Sequence, residues 1–548
     1  MKSITPEILW RPTHHGTTPM GKYLQHVNQR YGLKLSSTRE LHHWSVTQPH
    51  TFWIDLYGYL NIIPPLPSLQ KAYDDSVPMS KNPLFFNGHA LNYAENALLG
   101  NPDPAAVALI GLRDDQDIMN GSSDIITWGQ FREQVRQTAS ALRHSGVTQG
   151  DRIAALVATS NCAIVLFHAT ASLGAIFTSI SPELGVEGCV SRLQQVTPKI
   201  VFIDSHTIYK GKATPTATKL DIILQKLKVR PEVFVVPTSS YSLSRPTMET
   251  FLSRSSSSDE LKFLRVPFNY PLILCYSSGT TGVPKCIVHQ HGWLLQAKKI
   301  STLHNSLVLG SRVMVFSSTS WMAFFVMCSH LMAGSTLVAY NGSPLYPDAK
   351  QLLRICDKYG VNFLGASPRL LLEMEMSHTV PKQEFNLSSL KMVYTTGAPL
   401  SIEQYRWFYR SFPPEVQLTN THGGTDMASS LIIGDPCGPI YAGEMQTLAL
   451  GMDVDILDPT SGKSIADTGE AGEMVIRKPF PSMPCFFWGD TDGKIYYASY
   501  FSRFPDLDVW AQHDWLSRNP LTNGYVVHGR SDGVLSKSLR FIERLLFN

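Results

Sequence analysis

Paired cysteines and an excess of charge of either sign are both missing from this 548-residue sequence. Its eight cysteines are scattered without a C-x-x-C pair, which argues against a zinc site or a disulfide framework and is typical of reduced thiols. Charged residues make up only 17% of the chain and the net charge is +3, so the sequence predicts neither a nucleic-acid partner nor a membrane-surface partner. A content of 43% hydrophobic residues is typical of a large globular enzyme.

Two common nucleotide-binding signatures are also missing. The sequence contains no G-x-x-x-x-G-K-[ST] segment, and it contains no G-x-G-x-x-G segment. The main sequence support for a P-loop GTPase, a kinase or a dinucleotide-dependent enzyme is therefore lacking.

One segment has the length and the low charge of a membrane span. Residues 153–182 contain no Asp, Glu, Lys or Arg. Asn161 and His168 interrupt the run, and Gly174 separates two short apolar blocks, so the pattern predicts a buried strand, a helix and a second strand. The chain begins without an apolar signal segment and ends without a peroxisomal tripeptide, so the expected location is the cytoplasm.

Strand-like and helix-like segments alternate along the chain, which predicts an α/β fold with parallel layers. The apolar runs 200–203 and 233–236 have the composition of buried strands, and apolar side chains in 131–144 recur at helical spacing. Serine dominates residues 237–262, which predicts an exposed connection between two subdomains.

The strongest functional signal is the segment 276–285, with the sequence YSSGTTGVPK, behind the apolar run 272–274. Glycines allow backbone N–H groups to approach phosphate oxygens, the hydroxyls add donors, and Lys285 adds a compact positive charge. A surface turn rarely needs ten such positions behind a buried strand. The segment therefore predicts a loop that binds the phosphates of a nucleoside triphosphate.

This loop resembles the phosphate loop of the adenylate-forming superfamily, which includes the acyl-CoA synthetases. The branch it resembles is that of the acetoacetyl-CoA synthetases, from segments spread over almost the whole chain: 8–12 (ILWRP), 41–46 (LHHWSV), 52–53 (FW), 91–96 (LNYAEN), 319–322 (TSWM), 423–426 (GGTD), 478–484 (KPFPSMP) and 528–532 (HGRSD). The resemblance implies layered α/β subdomains that form the large N-terminal domain of this fold. It divides the chain into an N-terminal region of residues 1–100, an AMP-binding domain of residues 101–535 and a divergent tail of residues 536–548.

The implied reaction activates acetoacetate with ATP and Mg²⁺ and then transfers the acyl group to CoA. The catalytic residues it implies are Lys285, which grips the pyrophosphate, and Thr425, whose hydroxyl serves the α-phosphate or the substrate carboxylate. The metal ligand it implies is Asp426. The other nucleotide contacts that the resemblance implies are Ser277, Ser278, Gly279, Thr280, Thr281, Gly282, Gly397, Ala398, Pro399, Gly423, Gly424, Asp514 and Arg530.

Among these residues, Asp514 resembles the aspartate that accepts both ribose hydroxyls, and Arg530 resembles its companion. Gln512 and His513 stand where the family has His-Gly. Gly397 lies in the turn 394–400, which resembles the adenine-contacting segment.

The acyl pocket is assigned to Trp321 and Met322, with Gly423 and Gly424 as its floor. Ser320 replaces the glycine that the family has before this tryptophan, which leaves a different acid open. The histidines after the phosphate loop, His289 and His291, are interpreted as packing or solvent residues.

After Leu535 the resemblance ends, where the family continues into a small domain that carries a catalytic lysine. Our hypothesis is an acetoacetate–CoA ligase, with a specialised biosynthetic pathway as one setting. The alternatives are another short-chain acyl-CoA ligase, a noncatalytic nucleotide-binding homologue, and a frameshift after Leu535 in the coding sequence.

Overall fold

A computed structural model describes residues 6–13, 15–119, 121, 123–238, 245–277 and 284–531. The strands are β1 (Ile8–Trp10), β2 (Ala90–Leu91), β3 (Val107–Arg113), β4 (Asp124–Thr127), β5 (Arg152–Leu156), β6 (Ile176–Ser179), β7 (Ile200–Asp204), β8 (His206–Tyr209), β9 (Lys212–Pro215), β10 (Glu232–Val236), β11 (Val266–Pro267), β12 (Pro271–Ser277), β13 (Lys285–Gln290), β14 (Arg312–Val315), β15 (Thr336–Asn341), β16 (Phe363–Gly365), β17 (Met392–Thr395), β18 (Gln417–Asn420), β19 (His422–Gly424), β20 (Ser429–Ile433), β21 (Ile440–Tyr441), β22 (Thr447–Leu448), β23 (Val454–Leu457), β24 (Gly472–Ile476), β25 (Phe486–Phe487), β26 (Trp510–Arg518) and β27 (Tyr525–Arg530).

The α-helices are α1 (Pro19–Tyr31), α2 (Thr38–Thr47), α3 (Pro49–Tyr59), α4 (Tyr93–Leu98), α5 (Trp128–His144), α6 (Asn161–Ser172), α7 (Val186–Val196), α8 (Ala217–Lys226), α9 (Met248–Leu252), α10 (Trp293–Lys299), α11 (Met322–Ser329), α12 (Gln351–Tyr359), α13 (Pro368–Met376), α14 (Pro381–Glu384), α15 (Ile402–Ser411) and α16 (Lys494–Tyr500). Short 3₁₀ turns occur at His15–Thr17, Met79–Lys81 and His330–Ala333, and a π turn at Ile300–His304 follows α10.

Two seven-stranded sheets form the body of the molecule. The first has the order β10-β7-β5-β6-β12-β13-β25, in which the strands from β10 to β12 are parallel and the last two pairings are antiparallel. The second has the order β18-β17-β16-β14-β15-β3-β4, parallel except for the edge pair β3–β4. The α/β prediction is confirmed.

Residues 153–182 form β5, α6 and β6, as their apolar blocks predict. Side chains on every face of α6 are buried between α4, α5 and the first sheet, which explains why the segment lacks charge. None of the helices in the described ranges is long and apolar enough to cross a membrane. The predicted helix at 131–144 is α5, which begins three residues earlier at a capping box of Thr127 and Gln130.

The described part of the serine-rich segment 237–262 contains a short helix and contacts helix α5. Its described residues include the short helix α9, whose Phe251 is fully buried, and Arg136 of α5 donates to the carbonyls of Ser256 and Asp259. The strands on either side, β10 and β12, belong to the same sheet. In the sequence the segment thus stands between two strands of one sheet, and its role as an exposed connection between two subdomains stays a prediction.

The N-terminal helices are held by a buried carboxylate. Asp55 of α3 is 5% exposed and lies within 3.2 Å of polar atoms on Tyr23, His26, Arg30 and Tyr31 of α1. A buried charge is costly unless it is paired, so these contacts fix the angle between α1 and α3. The boundaries predicted at residues 100 and 535 stay predictions, and the tail 536–548 lies outside the described residues.

A four-stranded antiparallel sheet, β23-β24-β26-β27, completes the described fold. Helix α16 covers its strand β26, where Tyr500 stacks on Trp510 with ring centroids 3.6 Å apart. A three-stranded sheet, β19-β20-β22, joins the same hydrophobic cluster. The motifs at 423–426 and 528–532 lie partly in strands of these two small sheets.

The contact of the N-terminal region with the body predicts the effect of one substitution. Gly451 has a φ of +75°, and a Cβ there would lie 2.5 Å from ring atoms of Phe52 and Trp53. We expect Gly451→Ala to lower the free energy of unfolding by about 2–4 kcal/mol, because the backbone is strained and the rings must move. Denaturant unfolding measures this change.

Gly58→Ala is the matched control, since a Cβ on this exposed helical glycine meets no atom within 4 Å. It should leave stability unchanged or raise it by about 0.5–1 kcal/mol. Equal effects of the two substitutions would contradict the proposed packing.

Candidate nucleotide and acyl site

The predicted phosphate loop lies between β12 and β13. These strands pair antiparallel, with Ser277 opposite Lys285 at the ends where the loop leaves and returns. Ser277 and Lys285 are half-buried at the end of a buried strand pair. The remaining predicted loop contacts, Ser278, Gly279, Thr280, Thr281 and Gly282, lie outside the described residues.

Lys285 contacts helix α16. Its Nζ donates to Ser499 Oγ at 2.8 Å and lies 5.7 Å from the centroid of the Phe487 ring. The ammonium group is thus held at the mouth of the loop by a residue that is 214 positions away in the sequence.

Asp426 is held by the same helix. The hydroxyl of Tyr500 donates to Asp426 Oδ1 at 2.6 Å, while Oδ2 has no hydrogen-bond partner among the described residues. The neighbouring Thr425 carbonyl accepts from His289 Nε2 at 2.7 Å, which fixes the backbone before the carboxylate.

The donor set around Asp426 determines which kind of metal it suits. The described residues contain no cluster of three or more His, Cys, Asp or Glu side chains that could hold a metal ion by themselves. Mg²⁺ bound with a nucleotide commonly uses one or two carboxylates and completes its shell with phosphates and water. A half-buried carboxylate with one free oxygen fits that use.

Gly423 lies where two strands approach too closely for a side chain. A Cβ on Gly423 would lie 2.1 Å from the carbonyl oxygen of Ser429 and 2.9 Å from the Cα of Ser430, on the paired strand β20. The corresponding atom on Gly424 would meet only the backbone nitrogen of Asp426, at 3.8 Å. Only Gly423 is therefore required by packing.

Asp514 on β26 is the centre of a polar cluster. His422 Nε2 lies 3.0 Å from its Oδ2, Gln512 Nε2 donates to the same oxygen at 2.5 Å, and Arg530 lies 3.6 Å from Oδ1. Burial acts to raise the pKa of Asp514, but the hydrogen bonds of His422 and Gln512 and the charges of His422 and Arg530 hold it below its ordinary value. The predicted ribose residues Asp514 and Arg530 therefore lie side by side, and the carboxylate of Asp514 is ionised at neutral pH.

The structure shows how His513 takes the place of the glycine in the family's His-Gly pair before Asp514. His513 has a φ of +65°, the left-handed region that favours glycine, and its Nδ1 lies 4.0 Å from the buried Glu473. The backbone thus keeps the conformation that glycine adopts easily.

The turn at 394–400 follows β17. Gly397 has a φ of +88° with open space where a Cβ would stand, and it is exposed together with Ala398 and Pro399. The backbone nitrogen of Thr421 donates to the Thr395 carbonyl, which places the turn beside β19.

Trp321 and Met322 do not share one environment. Trp321 is 63% exposed at the start of α11, whereas Met322 is buried and its Sδ lies 3.8 Å from the Sγ of Cys275. Ser320, in place of glycine, accepts from the Ser181 backbone nitrogen at 2.5 Å. Thr319 donates to the Val157 carbonyl at 2.7 Å, so the carboxyl ends of β5 and β6 hold this segment.

His289 and His291 are fully buried, which agrees with a packing role. Burial lowers the pKa of His289 to about 4 and that of His291 to about 3, so both rings are neutral at pH 7. His291 Nδ1 accepts from the Tyr93 backbone.

Sequence reasoning missed His422, Ser499 and Tyr500. His422 precedes a recognised motif, and that adjacency was the signal available for it. Ser499 and Tyr500 belong to an aromatic helix whose composition is that of ordinary core, so their contacts with Lys285 and Asp426 carried no local signal.

The comparisons with known proteins agree on one family. A model of the AMP-binding enzyme family matches residues 100–485. Malonamoyl-CoA synthetase vrtB of Penicillium aethiopicum is 36% identical over 98% of this chain and 76% of its own length. Acetoacetyl-CoA synthetase of Gallus gallus is 34% identical over 99% of this chain and 81% of its own.

A solved structure agrees with these relatives. The acetoacetyl-CoA synthetase from Streptomyces lividans superposes with a TM-score of 0.89 at 31% identity, over 96% of this chain and 80% of that one. The likeness therefore covers nearly the whole of this chain.

The two glycines of the 423–426 motif allow a matched test. We expect Gly423→Ala to lower ATP affinity at least tenfold and to destabilise the fold by about 1–3 kcal/mol, because backbone atoms of β20 must move. Gly424→Ala should change stability by no more than about 0.5 kcal/mol, because its Cβ would meet only the backbone nitrogen of Asp426 at 3.8 Å. Calorimetric titration with ATP and thermal unfolding measure both, and a reversed order would show that β19 and β20 are not paired as described.

The cluster at Asp514 predicts a pH dependence. Its folded pKa lies below the unfolded value of roughly 3.9, so its contribution to stability is present above that pH and is lost as the pH falls through the folded pKa. We expect His422→Ala to cost about 1–3 kcal/mol at pH 7, with a smaller difference in acid. Urea unfolding of both proteins between pH 2 and 7 measures this; a difference that grows in acid would contradict the assignment.

Proposed function

Because the chain belongs to the AMP-binding enzyme family, and to its acyl-CoA synthetase branch, we propose that it is an ATP-dependent ligase that converts acetoacetate to acetoacetyl-CoA. The observation that carries the proposal is the convergence of distant motifs by direct contact. Asp514 meets His422 at the start of the β19 motif, and α16 contacts both Asp426 and Lys285.

The reaction has two steps. A carboxylate oxygen of the acid bonds to the α-phosphorus of ATP as the bond to pyrophosphate breaks, which gives acyl-AMP. The CoA sulfur then bonds to the acyl carbon, AMP leaves, and the thiol proton is released. Bound Mg²⁺ would supply charge neutralisation for the phosphates beside Asp426.

The residues of this chain hold and orient the reactants in the first step. The ionised Asp514 accepts hydrogen bonds from the ribose hydroxyls, with Arg530 beside it. Lys285 stabilises the negative charge that accumulates on the leaving pyrophosphate. The hydroxyl of Thr425 donates to the α-phosphate or to the carboxylate, and Gly423 keeps the floor of the acyl pocket free of a side chain.

A second acid is suggested by the name of one relative. The malonamoyl-CoA synthetase relative is 36% identical, against 34% for the Gallus gallus acetoacetyl-CoA synthetase. Malonamate and acetoacetate both carry a carbonyl at the third carbon and differ only in whether an amino group or a methyl group is bonded to it. The substrate class proposed is therefore a short acid with a carbonyl at this position.

Formation of acyl-CoA by the purified chain tests this function. We expect turnover with acetoacetate or malonamate, ATP, Mg²⁺ and CoA to exceed turnover with butyrate and acetate. Lys285→Ala should lower the rate about a hundredfold, since it removes a charge that acts on the leaving group.

Lys228→Ala is the control, because this lysine is exposed and has no described partner. No product with any of these acids, although ATP binds, would favour the noncatalytic alternative. Equal rates with butyrate and acetoacetate would favour a general short-chain ligase.

We place the protein in the cytoplasm. All eight cysteines are free thiols, which suits a reducing compartment. Fluorescence microscopy of the tagged chain in its source cells would contradict this if the signal were confined to an organelle.

A further inference from the structure

Helix α16 joins two groups that the sequence motifs keep far apart. Its last two residues, Ser499 and Tyr500, contact Lys285 at 2.8 Å and Asp426 at 2.6 Å. Neither residue belongs to a motif that the sequence analysis recognised, and neither has a place in the reaction described above.

The hydroxyl of Tyr500 has one described partner, the carboxylate of Asp426. Its ring is 2% exposed and stacks on Trp510, which is fully buried, so the hydroxyl cannot swing away without breaking the packing of the four-stranded sheet. A donor fixed in this way selects one orientation of the carboxylate and leaves the other oxygen, Oδ2, free of described partners.

Ser499 holds the side chain of Lys285 in a similar way. A lysine side chain has four rotatable bonds, and its ammonium group is strongly hydrated unless something holds it. The hydroxyl of Ser499 accepts from Nζ, and the Phe487 ring covers one side of the charge.

We propose that the carboxyl end of α16 is the positioning element for the metal and pyrophosphate end of the nucleotide site. Tyr500 orients Asp426 toward the metal, and Ser499 orients Lys285 toward the departing phosphates. Both are positioning residues, since neither touches the reacting atoms. The inference rests on the proposed function, because it assumes that Asp426 and Lys285 serve a metal–nucleotide complex.

Tyr500→Phe isolates the hydroxyl, because phenylalanine keeps the ring that stacks on Trp510. The measurement is calorimetric binding of ATP at a series of free Mg²⁺ concentrations, which requires no turnover. We expect the Mg²⁺ concentration for half-maximal ATP affinity to rise roughly tenfold, the usual range for loss of a partner that orients a metal ligand. The melting temperature should change little.

Tyr497→Phe is the matched control on the same helix. Tyr497 is 40% exposed and its hydroxyl has no hydrogen bond among the described residues, so the Mg²⁺ dependence should equal that of the parent chain. Ser499→Ala gives a different signature: ATP affinity at saturating Mg²⁺ should fall about fivefold, with the Mg²⁺ midpoint unchanged.

The outcomes separate the two hypotheses. A parent chain that binds ATP with normal Mg²⁺ dependence, and a Tyr500→Phe chain that behaves identically, would overturn the positioning role and leave the ligase intact. A parent chain whose ATP binding ignores Mg²⁺ would overturn both.

Discussion

The pairing of Asp514 with His422 is the interaction on which the described site depends. An ionised carboxylate that is only 5% exposed is costly unless donors surround it, and His422, Gln512 and Arg530 supply them. His422 begins β19 and Asp514 lies in β26, so satisfying one charge fixes the three-stranded sheet against the four-stranded sheet. In the same way, the paired and buried carboxylate of Asp55 holds the N-terminal helices together.

The position of helix α16 follows from this arrangement. Once β26 is fixed, Trp510 on that strand provides the surface on which Tyr500 stacks, and α16 is held with it. The helix then reaches Asp426 on one side and Lys285 on the other. Because the two rings stack rigidly, the packing of the sheet fixes the orientation of Asp426 and Lys285. Charged groups that are already oriented need not be rearranged during a reaction, which lowers the free-energy cost of reorganisation.

Elements governed by local patterns could be predicted. The charge-free run at 153–182 became β5, α6 and β6 because both faces of this layer are covered, and the helix at 131–144 followed from its apolar spacing. Among site residues, Asp514 and Arg530 lie 3.6 Å apart, and their roles at the ribose stay predictions. The shared sheet of the strands on either side of the serine-rich segment could not be predicted, because exposure is a local property and membership of a sheet is not.

The substitutions that depart from the family motifs required the structure. The hydroxyl of Ser320 accepts a hydrogen bond from the backbone nitrogen of Ser181, which lies 139 residues away. The glycine of the family motif has no side chain to make this contact. His513 adopts a left-handed backbone conformation, which only the tertiary structure shows. Trp321 and Met322, adjacent in sequence, point to different environments because helix α11 begins between solvent and core.

By itself the sequence determined the layered α/β class and named the candidate groups of the site, because glycine spacing, hydroxyls and apolar periodicity act over a few neighbouring residues. Tertiary structure alone decided which side chains hold those groups. The contacts of Tyr500 with Asp426 and of Ser499 with Lys285 span 74 and 214 residues. Such contacts depend on how separate sheets pack and which buried charges must be paired, and neither leaves a periodic trace in the sequence.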